Sequence, residues 1–297
     1  MKILVTGGKG QLGTELCKCF ERGCTELGTP EILKQSTEVR SIDVDELDIT
    51  DLKAVKALFE SEKYDAVINC AAYTNVDGCE AHRDDAFKVN AIGPRNLAIA
   101  CEDIGAKLIH VSTDYVFPGN GSVPKTECDT PAPISAYGST KYLGEQYVRD
   151  FCSRYFIVRT AWLYGYYGKN FVKTIMNAAR KFGKLTVVND QRGNPTNAAD
   201  LAHHLIKLLD TEEYGIYHGT GTGECSWYDF AAEIVKTAGI DAEVAPCTSE
   251  EYAEAHPDAA DRPKYSALDN GMFRVTVGDE FRQWQDALKC FMDNYKE

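Results

Sequence analysis

Lys2-Ile-Leu-Val-Thr-Gly-Gly-Lys-Gly-Gln-Leu-Gly13 decides the fold of this chain. Ile3, Leu4 and Val5 form a short apolar run that ends in glycine, which reads as a buried strand. Gly7, Gly10 and Gly13 follow in the spacing G-x-x-G-x-x-G, and Thr14 to Glu21 has helical character. A glycine loop between a first strand and a first helix lets backbone approach a pyrophosphate, with the helix N-terminus supplying donors and positive potential. An ordinary strand–helix turn is the competing reading; placement at the first βα junction favours nucleotide binding. Gly7, Gly10, Gln11, Leu12 and Gly13 are therefore expected to contact a dinucleotide.

The same alternation continues along the chain. Strands are expected over 38–43, 64–71, 106–112 and 155–160, with helices over 51–61, 86–104 and 136–151 between them. Strands alternating with helices predict parallel βαβ units and an α/β, doubly wound parallel sheet of Rossmann-like kind. Beyond Trp162 the alternation weakens: helices are expected over 171–182, 200–209 and 227–238, with a short strand over 185–188. The last stretch reads as a smaller α+β, substrate-binding portion. The division expected is 1–162 plus about 186–220 for the dinucleotide-binding domain, and about 163–185 plus 221–297 for the substrate portion. Residues 22–38 read as a polar surface excursion.

Composition narrows the function classes. The chain has 297 residues, 44% hydrophobic and 26% charged, with a net charge of −13. Such an acidic balance argues against non-specific binding to nucleic acid or anionic membranes, while leaving room for an anionic small molecule held by a local cluster of donors. No apolar run approaches the roughly 18 residues of a membrane span, and the N-terminal apolar run is too short for a secretion signal. The eleven cysteines are scattered, with no C-x-x-C. They read as reduced thiols of a cytoplasmic protein, with Cys17, Cys70 and Cys101 as core fillers. No zinc-ligand spacing is present, and no metal is expected.

Four further motifs carry chemistry. Asp43 ends the second strand, where an acid can bind a ribose 2′-hydroxyl and favours NADH; Lys9 in the glycine loop suits a 2′-phosphate instead, so NADPH or NADH remains open. Asp48 and Ile49 fall where an adenine would lie. Asn69-Cys-Ala-Ala-Tyr-Thr-Asn-Val-Asp77 follows the third strand, and the small Ala71 and Ala72, with Tyr73, would let a flat ligand pass the backbone. Ser112-Thr-Asp-Tyr-Val-Phe117 follows the fourth, and Thr113 there can donate to a carbonyl or serve as a turn residue. Tyr137 and Lys141 lie four residues apart, on one face of a helix. A phenol titrates near about 10, and a neighbouring ammonium favours its ionised form, which brings it within reach of acid–base work.

Glycine loop, Thr113, Tyr137 and Lys141, in that order and each after a strand, resemble the extended short-chain dehydrogenase/reductases. Within them the chain is most similar to the dTDP-4-dehydrorhamnose reductases, through residues 69–77, 112–119, Arg-Thr-Ala-Trp-Leu-Tyr-Gly (159–165), Asp-Gln-Arg-Gly-Asn-Pro-Thr (190–196) and, less closely, 262–269. The resemblance implies NAD(P)H-dependent reduction of the C4 ketone of dTDP-4-dehydro-6-deoxy-L-mannose. Tyr137 would protonate the developing alkoxide, Lys141 would lower the tyrosine pKa and bind the nicotinamide ribose, and Thr113 would hydrogen-bond the carbonyl. It also implies substrate contacts from Val76, Asp77, Trp162, Asn170, Phe171, Gln191, Pro195 and Thr196, and a diphosphate contact from Arg262. Some members of that group are metal-linked dimers; no acidic cluster maps onto such a site here, and a homodimer stays open. Two other readings remain. One is a dinucleotide-binding regulatory subunit resembling the methionine adenosyltransferase β-subunit. The other is a different nucleotide-sugar reductase or epimerase; Tyr115, where dehydratases carry Glu, argues against a 4,6-dehydratase.

Overall fold

The structure, a computed structural model, describes residues 1–296. Its main sheet contains β1 (Lys2–Thr6), β2 (Glu38–Ile42), β3 (Ala66–Asn69), β4 (Lys107–Thr113), β5 (Tyr155–Thr160) and the Gly215–His218 strand. All pair in parallel, in the order Gly215–His218, β5, β4, β3, β1, β2. Alternation along each central strand sends side chains to opposite faces. Ile3, Val5, Ile68, Ile109, Phe156 and Val158 pack under α1 (Gln11–Arg22) and the Ala198–Leu209 helix. Leu4, Val67, Leu108 and Ile157 pack under α2 (Leu52–Glu62) and the Gly93–Ile104 and Ala136–Phe151 helices. Both faces are covered, so the central strands are predominantly apolar on both sides rather than alternating with exposed polar residues. Each such side chain contributes about 1.5–3 kcal/mol on burial, and a one-residue slip would exchange the two faces.

The expected α/β doubly wound sheet is the one observed. Thr6, Ile42, Asn69, Thr113 and Thr160 finish along one edge of it. Strand order reverses between β1 and β3, which opens a crevice there, at the carboxyl ends of the strands. The helix expected over 86–104 is divided: Arg83–Phe87 is α-helical, Lys88–Ile92 is a π-helical stretch, and Gly93–Ile104 is again α-helical. The π stretch carries Asn90, whose buried amide bonds the backbone of Tyr73 in both directions, at 2.8 and 3.1 Å. Residues 22–38 are largely exposed, as expected. They are a strap with Ile32 buried, and Thr25 and Glu26 bond His203 and Arg282.

The remaining residues gather around a third core of Tyr164, Val172, Phe230, Trp284, Leu288 and Phe291. Here Lys184–Val188 pairs in parallel with Glu243–Cys247. The Leu163–Tyr164 and Thr196–Asn197 segments pair beside the sheet edge. No helix among the described residues is long and apolar enough to cross a membrane.

Candidate active site

A cleft of about 820 Å³ runs along the carboxyl edge of the sheet, from the glycine loop to Trp162. Its first end is built by close backbone packing. Gly7 has φ +66°, and a Cβ on it would lie 2.7 Å from the Ala71 nitrogen. A Cβ on Gly13 would lie 2.4 Å from the Gly7 carbonyl oxygen. Both glycines are required by the approach of the loop to the segment after β3. The helices starting at Leu52, Ala136, Phe171, Ala198 and Trp227 are capped by the side chains of Asp51, Ser135, Asn170, Asn197 and Ser226. α1 is preceded instead by Gly10, which has no side chain to cap it, and Gln11, Leu12 and Gly13 line the cleft. The first-turn N–H groups of α1 are thus left for an anionic ligand. A dinucleotide pyrophosphate fits this cradle.

Asp43, Asp48, Ile49, Ala71, Ala72 and Tyr73 also line the cleft, as the sequence predicts. Asp43 does more than face a ribose: its carboxylate accepts the backbone N–H groups of Lys9 (3.0 Å) and Val44 (2.8 Å), tying the glycine loop to the end of β2. The Lys9 side chain turns outward and pairs with exposed Asp45 at 2.5 Å.

Thr113, Tyr137 and Lys141 meet further along. Ser135 caps the Ala136–Phe151 helix, and Gly138 lets it seat against the turn that follows β4, since a Cβ there would lie 2.2 Å from the Tyr115 carbonyl oxygen. Tyr137 packs edge-on to Tyr115 with ring centroids 5.5 Å apart. Burial holds the Tyr137 phenol above its ordinary range, opposed by a hydrogen bond from Thr113 and reinforced by Asp114. The expectation that Lys141 depresses this phenol is not met in this arrangement. The Lys141 ammonium donates instead to the Val111 carbonyl at 2.7 Å, and its own burial lowers it to about 8, with Glu145 opposing. Glu145 is buried and accepts from Arg159 at 2.7 and 2.9 Å and from Ser112 at 2.5 Å. A paired carboxylate therefore lies one turn from Lys141, at the far end of a closed network.

The opposite wall is aromatic. Trp162 has φ +47°, a conformation a bulky residue adopts only under surrounding constraint. Trp227 supplies that constraint, stacking on it at 3.5 Å and 8°. Phe171 packs on Trp227 at 4.5 Å. Gly193 allows the contact from behind, since a Cβ there would lie 2.7 Å from the Trp162 ring. Val76 lines the cleft; Asp77, Asn170, Phe171, Gln191, Pro195, Thr196 and Arg262 are not among the residues that line it. Asn170 bonds Gln11 at 3.0 Å, Thr196 N–H donates to the Trp162 carbonyl at 3.3 Å, and Gln191 bonds Ser249 at 3.0 Å. Asp77 holds Arg262 through two contacts, at 2.9 and 3.1 Å.

Sequence reasoning missed Trp227, Ser112, Asp114 and Lys169, all of which line the cleft. Ser112 and Asp114 flank Thr113 within a motif already singled out, and an acid beside a candidate hydroxyl was signal enough. Trp227 carried no local signal, because tertiary packing alone brings it to Trp162.

The model of the RmlD substrate binding domain family matches residues 1–297. The chain belongs to that family. It is similar to a dTDP-4-dehydrorhamnose reductase from Clostridium acetobutylicum, with 48% identity, 99% of each chain covered and a TM-score of 0.91. It is also similar to a dTDP-4-dehydrorhamnose reductase from Bacillus anthracis solved in complex with NADP, at 40% identity over 98% of each chain and a TM-score of 0.90. A dTDP-4-dehydrorhamnose reductase of Streptomyces griseus is 40% identical, over 96% of this chain and 91% of that protein. The family resemblance read from residues 69–77, 112–119, 159–165 and 190–196 is borne out.

Proposed function

We propose that this RmlD-family chain is an oxidoreductase that reduces the C4 ketone of dTDP-4-dehydro-6-deoxy-L-mannose to dTDP-L-rhamnose with NADPH or NADH. One observation carries the reading: Thr113, Tyr137 and Lys141 stand in the same cleft as an uncapped glycine-loop helix, between that cradle and an aromatic wall. Gly7, Gly10, Gln11, Leu12 and Gly13 would hold the pyrophosphate, and Asp43, Asp48, Ile49 and Ala71 to Tyr73 the adenosine half. When bound, the nicotinamide supplies the hydride.

The remaining chemistry belongs to the side chains. Burial keeps the Tyr137 phenol protonated at neutral pH, so it enters the reaction as a proton donor to the C4 oxygen. Thr113 steadies negative charge developing on that oxygen. Lys141 is fixed by the Val111 carbonyl and would bind the nicotinamide ribose. Trp162, held by Trp227, would wall the sugar, with Val76 beside it. Arg262 would meet the diphosphate after exchanging its contact with Asp77. The 190–196 loop, Asn170 and Phe171 would act by supporting these groups. We place the dinucleotide in the portion formed by 1–162 and about 186–220.

The test is a coupled assay in which the keto-sugar is generated in situ and NADPH and NADH oxidation are followed separately. Oxidation dependent on the keto-sugar, yielding dTDP-L-rhamnose, is expected. No oxidation, together with stoichiometric capture of an adenosyltransferase, would instead assign the chain to a regulatory role.

A further inference from the structure

Asp114 is an acid with an incomplete set of partners at the reacting end of the cleft. It is 2% exposed and lines the cleft. One carboxyl oxygen, Oδ1, lies 2.9 Å from Thr113 Oγ1, and Oδ2 has no hydrogen-bond partner among the described residues. A buried carboxylate ordinarily collects several donors, because ionised oxygens left without them are costly. The hydrogen count at Thr113 makes the deficit informative. A hydroxyl has one proton and two lone pairs. One lone pair already accepts the Tyr115 N–H at 3.2 Å. If Asp114 is ionised, it takes the only Thr113 proton. Thr113 would then present just a lone pair to the oxygen on which negative charge develops, which repels rather than steadies it.

We propose that Asp114 works as a carboxylic acid, donating its O–H to Thr113 Oγ1 and so releasing the Thr113 proton to the C4 oxygen of the keto-sugar. The inference rests on the reductase reading above. In this state both lone pairs of Thr113 are filled, by Tyr115 N–H and Asp114 O–H, and its proton is free to turn from the Tyr137 oxygen to the C4 oxygen. Asp114 and Thr113 keep their protons through the reaction; the transferred proton is that of Tyr137. Asp114 is a positioning residue, acting through Thr113.

The surroundings raise the share of protonated acid, which dominates below about pH 6. Burial raises the carboxyl to about 6, opposed by Ser266, by Thr113 and by backbone N–H groups, of which only Thr113 lies at hydrogen-bonding geometry. The groups facing it are Tyr115 from its own turn, Tyr137 from the Ala136–Phe151 helix and Ser266 from the C-terminal segment. The nearby cations are engaged elsewhere: Arg262 on Asp77, and Lys141 on the Val111 carbonyl.

The test compares wild type with Asp114→Asn, whose amide can donate to Thr113 but cannot ionise, and with Asp114→Leu, which can do neither. Turnover of the keto-sugar is measured from about pH 5.5 to about pH 8.5. In wild type, kcat is expected to fall with rising pH, approaching about tenfold per unit above the Asp114 transition, while KM moves less. Asp114→Asn should remove that limb, and Asp114→Leu should lower kcat by about tenfold or more at every pH. Infrared difference spectra of wild type against Asp114→Asn should show a protonated-carboxyl band that disappears as pH rises, a readout independent of turnover. A limb that persists in Asp114→Asn, or the absence of that band at low pH, overturns the proposal. So does a flat wild-type profile with a dead Asp114→Asn, which would make the carboxylate the working form. If wild type does not reduce the keto-sugar at all, the reductase reading fails, and the infrared band still decides the protonation state.

Discussion

The two ends of the cleft are built by different means. The glycine-loop end is made of backbone: Gly7 and Gly13 pack against atoms that no Cβ could approach, and α1 is left uncapped. The reacting end and its aromatic wall are made of side chains held by other side chains. Lys141, Glu145 and Arg159 are all but inaccessible, and Trp162 sits in a left-handed conformation under Trp227. One end depends on what is missing, a side chain or a cap; the other depends on what is stacked behind it. Substitutions should therefore act differently at the two ends.

The largest effect is expected beneath the reacting end. Arg159→Ala removes the partner of buried Glu145 and leaves a carboxylate with only Ser112 as donor and Lys141 nearby. Breaking a buried pair from one side costs about 3–5 kcal/mol, to be read by urea denaturation. A loss under about 1 kcal/mol would mean that Lys141 swings to replace Arg159, and the network is less closed than its geometry implies. Tyr137→Phe comes next: turnover should fall about 10²-fold or more while NADPH binding, followed by cofactor fluorescence, is kept. Near-normal turnover would remove Tyr137 from the chemistry.

Asp114→Asn separates stability from activity at the same end. Burial raises the acid from its ordinary 3.8 to about 6, so the folded chain binds this proton more tightly than the unfolded one. Wild-type stability then falls as pH rises from about 4 to about 6, and stays reduced above. The Asn variant should be more stable than wild type by on the order of 2 kcal/mol near pH 8, with the gain vanishing below about pH 4. Trp227→Ala tests the wall. With its stacking partner gone, Trp162 should leave its strained conformation, and kcat/KM for the keto-sugar should fall about tenfold with cofactor affinity unchanged. Trp227→Phe should recover most of it. An equal loss of cofactor affinity would mean that the two ends are not independent.

This contrast also explains what could be read from the sequence. Strands 2–6 and 155–160 and the glycine loop are local patterns, and burial of these strands on both sheet faces favours Ile, Leu, Val and Phe, whereas the edge strand 38–42 keeps exposed polar residues. The Tyr137–Lys141 spacing is likewise a property of one helix. The side-chain wall is not local. The stack of Trp162 on Trp227, the brace from Gly193 and Thr196, and the Asp77–Arg262 pair join segments that only the folded chain brings together. The π-helical stretch at Lys88–Ile92 was hidden for a related reason. Its apolar pattern matches a helix, and what distinguishes it is Asn90 bonding the Tyr73 backbone across the fold.

Lys9 gives the smallest expected effect and the sharpest test of the backbone end. From sequence it competes with Asp43 to set cofactor preference, by reaching a 2′-phosphate. In the structure its side chain leaves the cleft for Asp45, both groups being more than half exposed, and only its backbone N–H faces inward, to Asp43. An exposed pair of this kind contributes little, since water and salt screen it. Lys9→Ala should leave the urea midpoint unchanged and shift the ratio of NADPH to NADH affinity by less than about threefold, because the backbone contact survives the substitution. Asp43→Ala should do more than Lys9→Ala, since it unties the loop from β2 whichever cofactor is offered. If Lys9→Ala instead weakens NADPH alone by about tenfold, the side chain turns inward on binding, and that end of the cleft reads phosphate with a side chain after all.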